Sequence, residues 1–266
     1  VVDDLRRKGA IFVDDPEQAP RGAELIYSAH GVSPAVRSRA QARALRTIDA
    51  TCPLVAKVHG EAQRYARQGR QVVLIGHKGH PEVEGTSGRV PGGVLLVSNA
   101  AEVAELSVRD PHRLAYVTQT TLSVDDTREV IDALKARFPD IAGPDLRDIC
   151  YATQNRQTAV RQLADAVDLL LVVGAQNSSN SSRLREIGEE MEVPSYLIAD
   201  SSAIDPAWFD GIRTVGITAG ASAPEQLVRE VIDRLRDLGP VDVEVLDGVV
   251  ERVQFKLPPE LLPEAS

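Results

Sequence analysis

The run Ile75-Gly76-His77-Lys78-Gly79-His80-Pro81-Glu82-Val83-Glu84-Gly85-Thr86 places two imidazoles and two carboxyls directly after the apolar stretch Gln71-Val72-Val73-Leu74. An imidazole can donate to an anionic oxygen at neutral pH. A carboxyl sheltered from water has its pKa raised and can deliver protons. Glu82 follows Pro81 at an expected helix start, where complementing the helix dipole is a sufficient reason for an acid, so proton delivery and dipole pairing stand as equal readings. Glu84, two positions on, faces elsewhere. His77 and His80 have the spacing of one half of a zinc site, but no second His or Cys pair follows at a usual distance. His30, in Ser28-Ala29-His30-Gly31, occupies a comparable setting. Either histidine alone reads as a satisfied strand-end residue; two presented alike suggest donors to a shared phosphate.

Other loops add uncharged polar groups: Thr118-Gln119-Thr120-Thr121, Asn177-Ser178-Ser179-Asn180, and Thr218-Ala219-Gly220-Ala221-Ser222. Helix capping explains one such residue per loop, but not a run of them. An anion cradle of hydroxyls, amides and helix N-termini accounts for the runs. The two cysteines share a context, since "DATCPLVAKVH" and "RDICYATQNRQ" each place an apolar strand before the thiol and a helix after it. Each could be a small core residue. At helix N-termini they could also be thiolates. Three such thiolates would suit an iron-sulfur cluster with one open iron, or a catalytic zinc.

The elements that must position these groups are repeated. Cys52 stands 24 residues before Gly76, at the end of "VVLIG", and Cys150 stands 24 before Gly174, at the end of "LLLVVG". "VLLVSNAAEV" from Val94 matches "YLIADSSAI" from Tyr196, and "YVTQTTLS" from Tyr116 matches "VGITAGAS" from Val215. Each copy closes on a near-identical helix, "REVIDALK" from Arg128 and "REVIDRLR" from Arg229. Such a repeat defines the architecture. "GAIFVDDPEQA" from Gly9 and "ELIYSAHGVS" from Glu24 fit a truncated first copy with its helix over 34–45.

The expected fold is therefore α/β, with three pseudo-threefold-related αβα units of small parallel sheets around a central cleft. The units are expected over 1–51, 52–149 and 150–239, with a C-terminal tail over 240–266. Ligands of such sheets bind beyond the carboxyl ends of the strands, where all the loops above lie. The first copy lacks its opening strand and cysteine, and residues 1–9 read as the end of a helix. A preceding stretch of roughly 30 to 60 residues carrying a third cysteine is expected.

The runs "SAHGVS", "DATCPLVAKVH", "GHKGHPEVEGT", "TQTTLSVDDT", "DICYATQNRQ", "NSSNSSRL" and "TAGASAP", in this order, closely resemble the family of 4-hydroxy-3-methylbut-2-enyl diphosphate reductases across almost the whole chain. The resemblance implies a [4Fe-4S] cluster held by three cysteines, two of them Cys52 and Cys150 and the third in the N-terminal segment. It implies diphosphate binding by His30, His80, Ser178, Ser179, Asn180 and Ser222, proton supply by Glu82, and orientation of the departing hydroxyl by Thr120. The implied reaction is a two-electron, two-proton reductive dehydroxylation of an allylic diphosphate, the last step of the methylerythritol phosphate route to isoprenoids. Its products are isopentenyl and dimethylallyl diphosphate. Ferredoxin or flavodoxin is the implied electron donor.

Composition narrows the classes. The chain is 43% hydrophobic and 26% charged, the balance of a globular protein. A net charge of -9 without basic, aromatic-rich patches argues against nucleic acid. The sequence has no apolar run long enough for a bilayer and no signal-peptide layout, so a cytoplasmic protein without a membrane partner is expected. Two competing readings are a metal-free αβα protein holding a phosphorylated ligand, and a zinc hydrolase using His30, His80 and a thiolate.

Overall fold

The computed structural model describes residues 2–262. The elements in chain order are α1 (Val2–Arg7), β1 (Glu24–Tyr27), α2 (Pro34–Ala42), β2 (Arg46–Asp49), α3 (Pro53–Arg67), β3 (Gln71–Ile75), α4 (Pro81–Ser87), β4 (Leu95–Val97), α5 (Ala100–Glu105) and β5 (Leu114–Thr118). They continue with α6 (Val124–Arg137), α7 (Tyr151–Ala164), β6 (Leu169–Val173), α8 (Ser179–Glu190), β7 (Ser195–Ile198), β8 (Val215–Ala219) and α9 (Glu225–Leu238). Short 3-10 turns fill several connections, among them Asp145–Asp148, which leads into Cys150.

The strands form three small parallel sheets, ordered β1-β2, β4-β3-β5 and β7-β6-β8. Each three-stranded sheet puts its first strand in the centre. β3 and β6 are buried along nearly their whole length, which is why both read as continuous runs of Val, Leu and Ile rather than alternating ones. The repeated sequence is matched bond for bond. Gly76 N donates to Val97 O, and Gly174 N to Ile198 O, both at 2.9 Å; Gln119 N donates to Ile75 O at 2.8 Å, and Gly220 N to Val173 O at 2.9 Å. The two copies therefore end their central strands in the same way and release equivalent loops at the carboxyl edge.

Contacts divide the chain into two compact units. One contains Tyr151–Arg252 with the residues through Leu5, and the other contains Arg6–Cys150 with the segment from Val253 onward. In the second, β3 and β5 share two cores. Val73, Ile75, Leu114 and Tyr116 pack with α6 residues Val130, Ile131 and Leu134 on one face, while Val72, Leu74, Ala115 and Val117 pack with α3 residues Val58, Ala62 and Tyr65 on the other. The buried side of α3 is Val55, Val58, His59, Ala62 and Tyr65, a helical stripe. In the first, Leu169, Leu171 and Val173 face Val231 and Leu235 of α9, and Leu170 and Val172 face Leu184 and Ile187 of α8.

Two local expectations are corrected. The helix expected over 34–45 stops at Ala42, because Ala44 takes a left-handed turn at φ 55° and Leu45 folds back under it, its N-H reaching Ala40 O. The segment aligned with β4 in the first copy forms no strand. Ile11 and Phe12 are exposed there, and β1 has β2 as its sheet partner.

Candidate active site

The side chains singled out from the sequence lie on loops and helix starts that follow the carboxyl ends of strands, with one correction: no strand precedes Cys150, which follows the 3-10 turn Asp145–Asp148 where an apolar strand was expected. In the unit containing Arg6–Cys150, β3 passes through Gly76 into a turn in which Gly79 adopts φ 81°, and α4 then starts at Pro81. His80 is the N-cap of α4: its Nδ1 accepts from the Glu82 N-H at 3.2 Å. A neutral imidazole that accepts at Nδ1 carries its proton on Nε2, leaving that nitrogen as an outward donor. The His30 ring stands edge-on to it, with centroids 5.5 Å apart and planes at 85°. Burial, then the proximity of His30 and His77, pushes His80 down to about 4. Without an anion beside it, His80 is neutral at physiological pH.

Glu82 is 5% exposed. Its Oε2 accepts from the Thr120 backbone N-H at 2.9 Å, and the Thr120 hydroxyl donates to its two oxygens at 2.8 and 3.0 Å. Burial raises its pKa, outweighing these hydrogen bonds and the nearby His30, all of which favour the charged form. The dipole reading accounts for an acid in the first turn, but an acid serving only the dipole belongs at the surface. Here the carboxyl is turned inward onto the loop after β5, and Glu84, as expected, is exposed away from it.

Gly85 in α4 and Gly88 at its C-cap let this helix approach the loop that carries His30. A Cβ on Gly88 would lie 2.6 Å from Ser33 Cβ, and one on Gly85 would lie 3.4 Å from the Gly31 carbonyl oxygen. Arg89 donates to Val32 O at 2.9 Å across the same contact. His30, His80, Glu82 and Thr120, widely separated in sequence, are thus brought together by two backbone contacts and one carboxyl clamp.

Both thiols are free and half-buried. Cys52 is the N-cap of α3 and its side chain makes no cap bond. Cys150 immediately precedes α7. Their backbones are held alike: Cys52 N donates to Ala29 O at 2.9 Å and Cys150 N to Thr120 O at 2.8 Å. Each cysteine is therefore tied to the loop bearing a proposed substrate-contacting residue. Among the described residues no three His, Cys, Asp or Glu side chains are gathered as a metal site. The donor set here is two thiols on equivalent loops, which suits a soft-metal centre completed by further ligands.

In the unit containing Tyr151–Arg252, Ser178 caps α8, accepting from Ser181 N at 3.3 Å and from the Ser181 hydroxyl at 3.0 Å. The Ser181 hydroxyl is wedged between the carboxyl ends of β6 and β8, 2.2 Å from where a Cβ on Gly174 or Gly220 would stand. Asn180 is 5% exposed, and neither its Oδ1 nor its Nδ2 has a hydrogen-bond partner. A buried amide with both ends unpaired is costly in a resting protein and suits a ligand-facing position. Ser179 is half-buried on the same turn, and Ser222 is exposed just past Gly220.

Two residues here, His59 and Asp148, have no role read from the sequence, and Gln119 is read there only as one of the polar groups of its loop. His59 lies within the quoted run after Cys52, but a lone histidine on an apolar helical stripe gives no signal of its own. Gln119 accepts from the His77 N-H at 3.1 Å and donates to the Thr121 hydroxyl at 2.8 Å, joining the loops after β3 and β5. Asp148, with a fully buried carboxylate, accepts from Lys57 Nζ at 2.9 Å and from Thr118 N at 3.3 Å. Only the fold brings Lys57 and Asp148 together.

Parallel αβα units that end in loops of imidazole, hydroxyl, amide and carboxyl groups are the layout of an α/β enzyme acting on a small anionic substrate. Comparison with known proteins agrees. The family profile described as LytB protein matches residues 1–236, and the chain belongs to that family. It is 60% identical over 261 residues to the 4-hydroxy-3-methylbut-2-enyl diphosphate reductase of Burkholderia pseudomallei, covering 98% of this chain and 83% of that protein. It is 61% identical over 258 residues to the reductase of the same name from Bordetella pertussis, covering 97% and 79%. The solved structure of E-1-hydroxy-2-methyl-but-2-enyl-4-diphosphate reductase from Plasmodium falciparum superposes with a TM-score of 0.91 at 38% identity, covering 97% of this chain and 82% of that one. A second solved structure, of (E)-4-hydroxy-3-methyl-but-2-enyl diphosphate reductase, the terminal enzyme of the non-mevalonate pathway, gives a TM-score of 0.61 at 33% identity over 89% and 83%.

Proposed function

We propose that this chain is a reductase that converts 4-hydroxy-3-methylbut-2-enyl diphosphate to isopentenyl and dimethylallyl diphosphate, the closing step of the methylerythritol phosphate route. Two electrons and two protons enter. The allylic C-O bond breaks, the hydroxyl leaves as water, and a C-H bond forms on the allyl fragment. The observation that carries the reading is the buried Glu82 carboxyl, held by both hydrogen-bond donors of Thr120 beside His30 and His80.

His80 offers its Nε2-H, and His30 its ring edge, to diphosphate oxygens, and a bound anion favours the charged form of His80. Ser178, Ser179, Asn180 and Ser222 supply hydroxyl and amide donors at the start of α8 and after β8. The unpaired Asn180 Nδ2-H2 gains an acceptor when an anion binds. Glu82, protonated over a wider pH range than an exposed carboxyl, passes its proton to the departing oxygen. Thr120, bonded to the same carboxyl, orients that oxygen.

Cys52 and Cys150 would be two of three cysteine ligands of a [4Fe-4S] cluster. Such a centre supplies one-electron transfer and Lewis acidity toward the substrate hydroxyl. A small acidic iron-sulfur or flavin protein, ferredoxin or flavodoxin, would deliver the electrons. No helix among the described residues is long and apolar enough to cross a membrane, and a cytoplasmic location fits that reading.

The test is Glu82→Gln in the anaerobically prepared full-length enzyme. Turnover should fall by about two orders of magnitude or more, while brown colour and affinity for the diphosphate substrate are kept. Near-normal turnover would remove Glu82 from the mechanism, and a colourless but active wild type would remove the iron-sulfur reading.

A further inference from the structure

Beneath the His30 turn lies a buried side chain with no part in the chemistry above. His59 projects from the apolar stripe of α3, is 3% exposed, and leaves Nε2 without a hydrogen-bond partner. A leucine or methionine would fill this position without stranding a polar atom. Two backbones rest on its ring. A Cβ on Gly31 would lie 2.5 Å from His59 Cε1, and one on Gly85 would lie 3.3 Å from His59 Nε2. Gly31 directly follows His30 and holds φ 72°. Gly85 lies in the helix that His80 caps. One imidazole is therefore the common floor of the two loops that present the facing histidines.

From this geometry we infer that His59 is a positioning residue for diphosphate binding: its ring fixes the His30-Gly31 turn against α4 and so sets the separation of the His30 and His80 rings. The inference rests on the reading of those histidines as diphosphate donors. It assigns His59 no contact with substrate. Glu82 and Thr120 hold each other through their own three hydrogen bonds, so the proton-delivering pair does not depend on the same support. Burial, then the Arg89 and Arg37 guanidiniums, holds His59 down to about 4, which keeps the ring neutral and packed as an apolar plate at physiological pH.

The experiment compares His59→Ala, Gly31→Ala and the double variant with wild type in the full-length holoenzyme. Affinity for inorganic diphosphate is read by calorimetry, turnover is resolved into KM and kcat, and iron content serves as a control. His59→Ala should raise KM and the diphosphate Kd about tenfold with kcat within about threefold of wild type, the pattern of lost uniform binding. Gly31→Ala, which drives a methyl into the ring and also puts alanine at φ 72°, should weaken binding at least as much. The double variant should bind no worse than Gly31→Ala alone, because removing the ring relieves the clash; independent sites would instead multiply their losses.

A His59→Ala enzyme with KM within about twofold of wild type, or with kcat lowered and KM unchanged, would overturn the inference. Multiplicative losses in the double variant, or loss of iron on replacing His59, would do the same. If His59→Ala does not fold, Gly85→Ala takes its place, pressing a methyl on the same ring from a helical backbone without the strain that φ 72° puts on Gly31→Ala: weaker diphosphate binding supports the contact, and unchanged affinity overturns the inference. Wild-type enzyme that neither binds diphosphate nor turns over substrate would instead sink the reading of the site itself.

Discussion

At the residue scale, the pairing of Glu82 with Thr120 sets the proton chemistry. The Thr120 hydroxyl and N-H both donate to the carboxylate and hold its pKa below what burial alone would give. Thr120→Val removes the hydroxyl and keeps the backbone donor, so the carboxyl should become harder to ionise. Activity that needs the protonated acid is lost as pH rises through its pKa, so the alkaline limb of the kcat profile should move to higher pH. Steady-state rates across the pH range check this, and a limb that stayed put would mean that another group titrates there. The sign for stability is the same: a carboxyl with a raised folded-state pKa favours the fold most below its unfolded value, and that contribution is lost as pH rises through the raised one. Asn180 gives a second residue-scale expectation. Since both ends of its buried amide are unpaired, Asn180→Ala should leave the urea midpoint unchanged or raised, while weakening diphosphate binding about tenfold. A clear loss of stability without loss of affinity would make the amide structural.

At the element scale, the site depends on how α3 and α4 meet their neighbours. α3, capped by Cys52, carries Lys57, whose ammonium reaches the buried carboxylate of Asp148 in the turn before Cys150. The same ammonium donates to Arg147 O at 3.0 Å, so one side chain ties the start of the Cys52 helix to the approach to Cys150. Glu61, one turn further along α3, has its pKa raised by burial and then by Asp148, with Lys57 and then Arg64 opposing the shift, so Lys57 faces two acids. Breaking a buried pair from one side costs about 3–5 kcal/mol. Lys57 is 39% exposed, and solvent screening brings the expected cost of Lys57→Ala to about 2 kcal/mol. Urea unfolding measures this; a cost below about 0.5 kcal/mol would mean that water replaces the ammonium. Elements were unevenly legible in the sequence. Continuous apolar runs marked β3 and β6, and the repeated "REVID" marked α6 and α9, because each is a local pattern. The early end of α2 was not legible, since the left-handed turn at Ala44 serves the packing of Leu45 rather than any propensity of alanine.

At the scale of the whole molecule, metal binding and order at the cysteine loops are expected to be coupled. Cys52 and Cys150 are each fixed through a backbone N-H to a neighbouring loop, and a bound centre would lock those loops as well as the thiols. Cys150→Ser in the full-length protein should therefore lose the iron-sulfur absorption and make the loop after β5 more accessible to hydrogen exchange. A Ser variant with full iron loading would contradict the ligand role. The sequence by itself determined the repeat, the α/β class, the strand-end placement of His30, His80, Glu82, Thr120 and Cys52, the helix that follows each cysteine, and the family, because apolar periodicity and ordered motifs are properties of the chain taken locally; the 3-10 turn before Cys150 was not legible. Only the tertiary structure decided that Glu82 turns inward onto Thr120, that Asn180 is buried with both amide atoms unpaired, that His59 lies under two glycines, and that Lys57 meets Asp148. Those contacts arise where separate strands and helices converge, and their energies depend on burial and on distances that no linear spacing encodes.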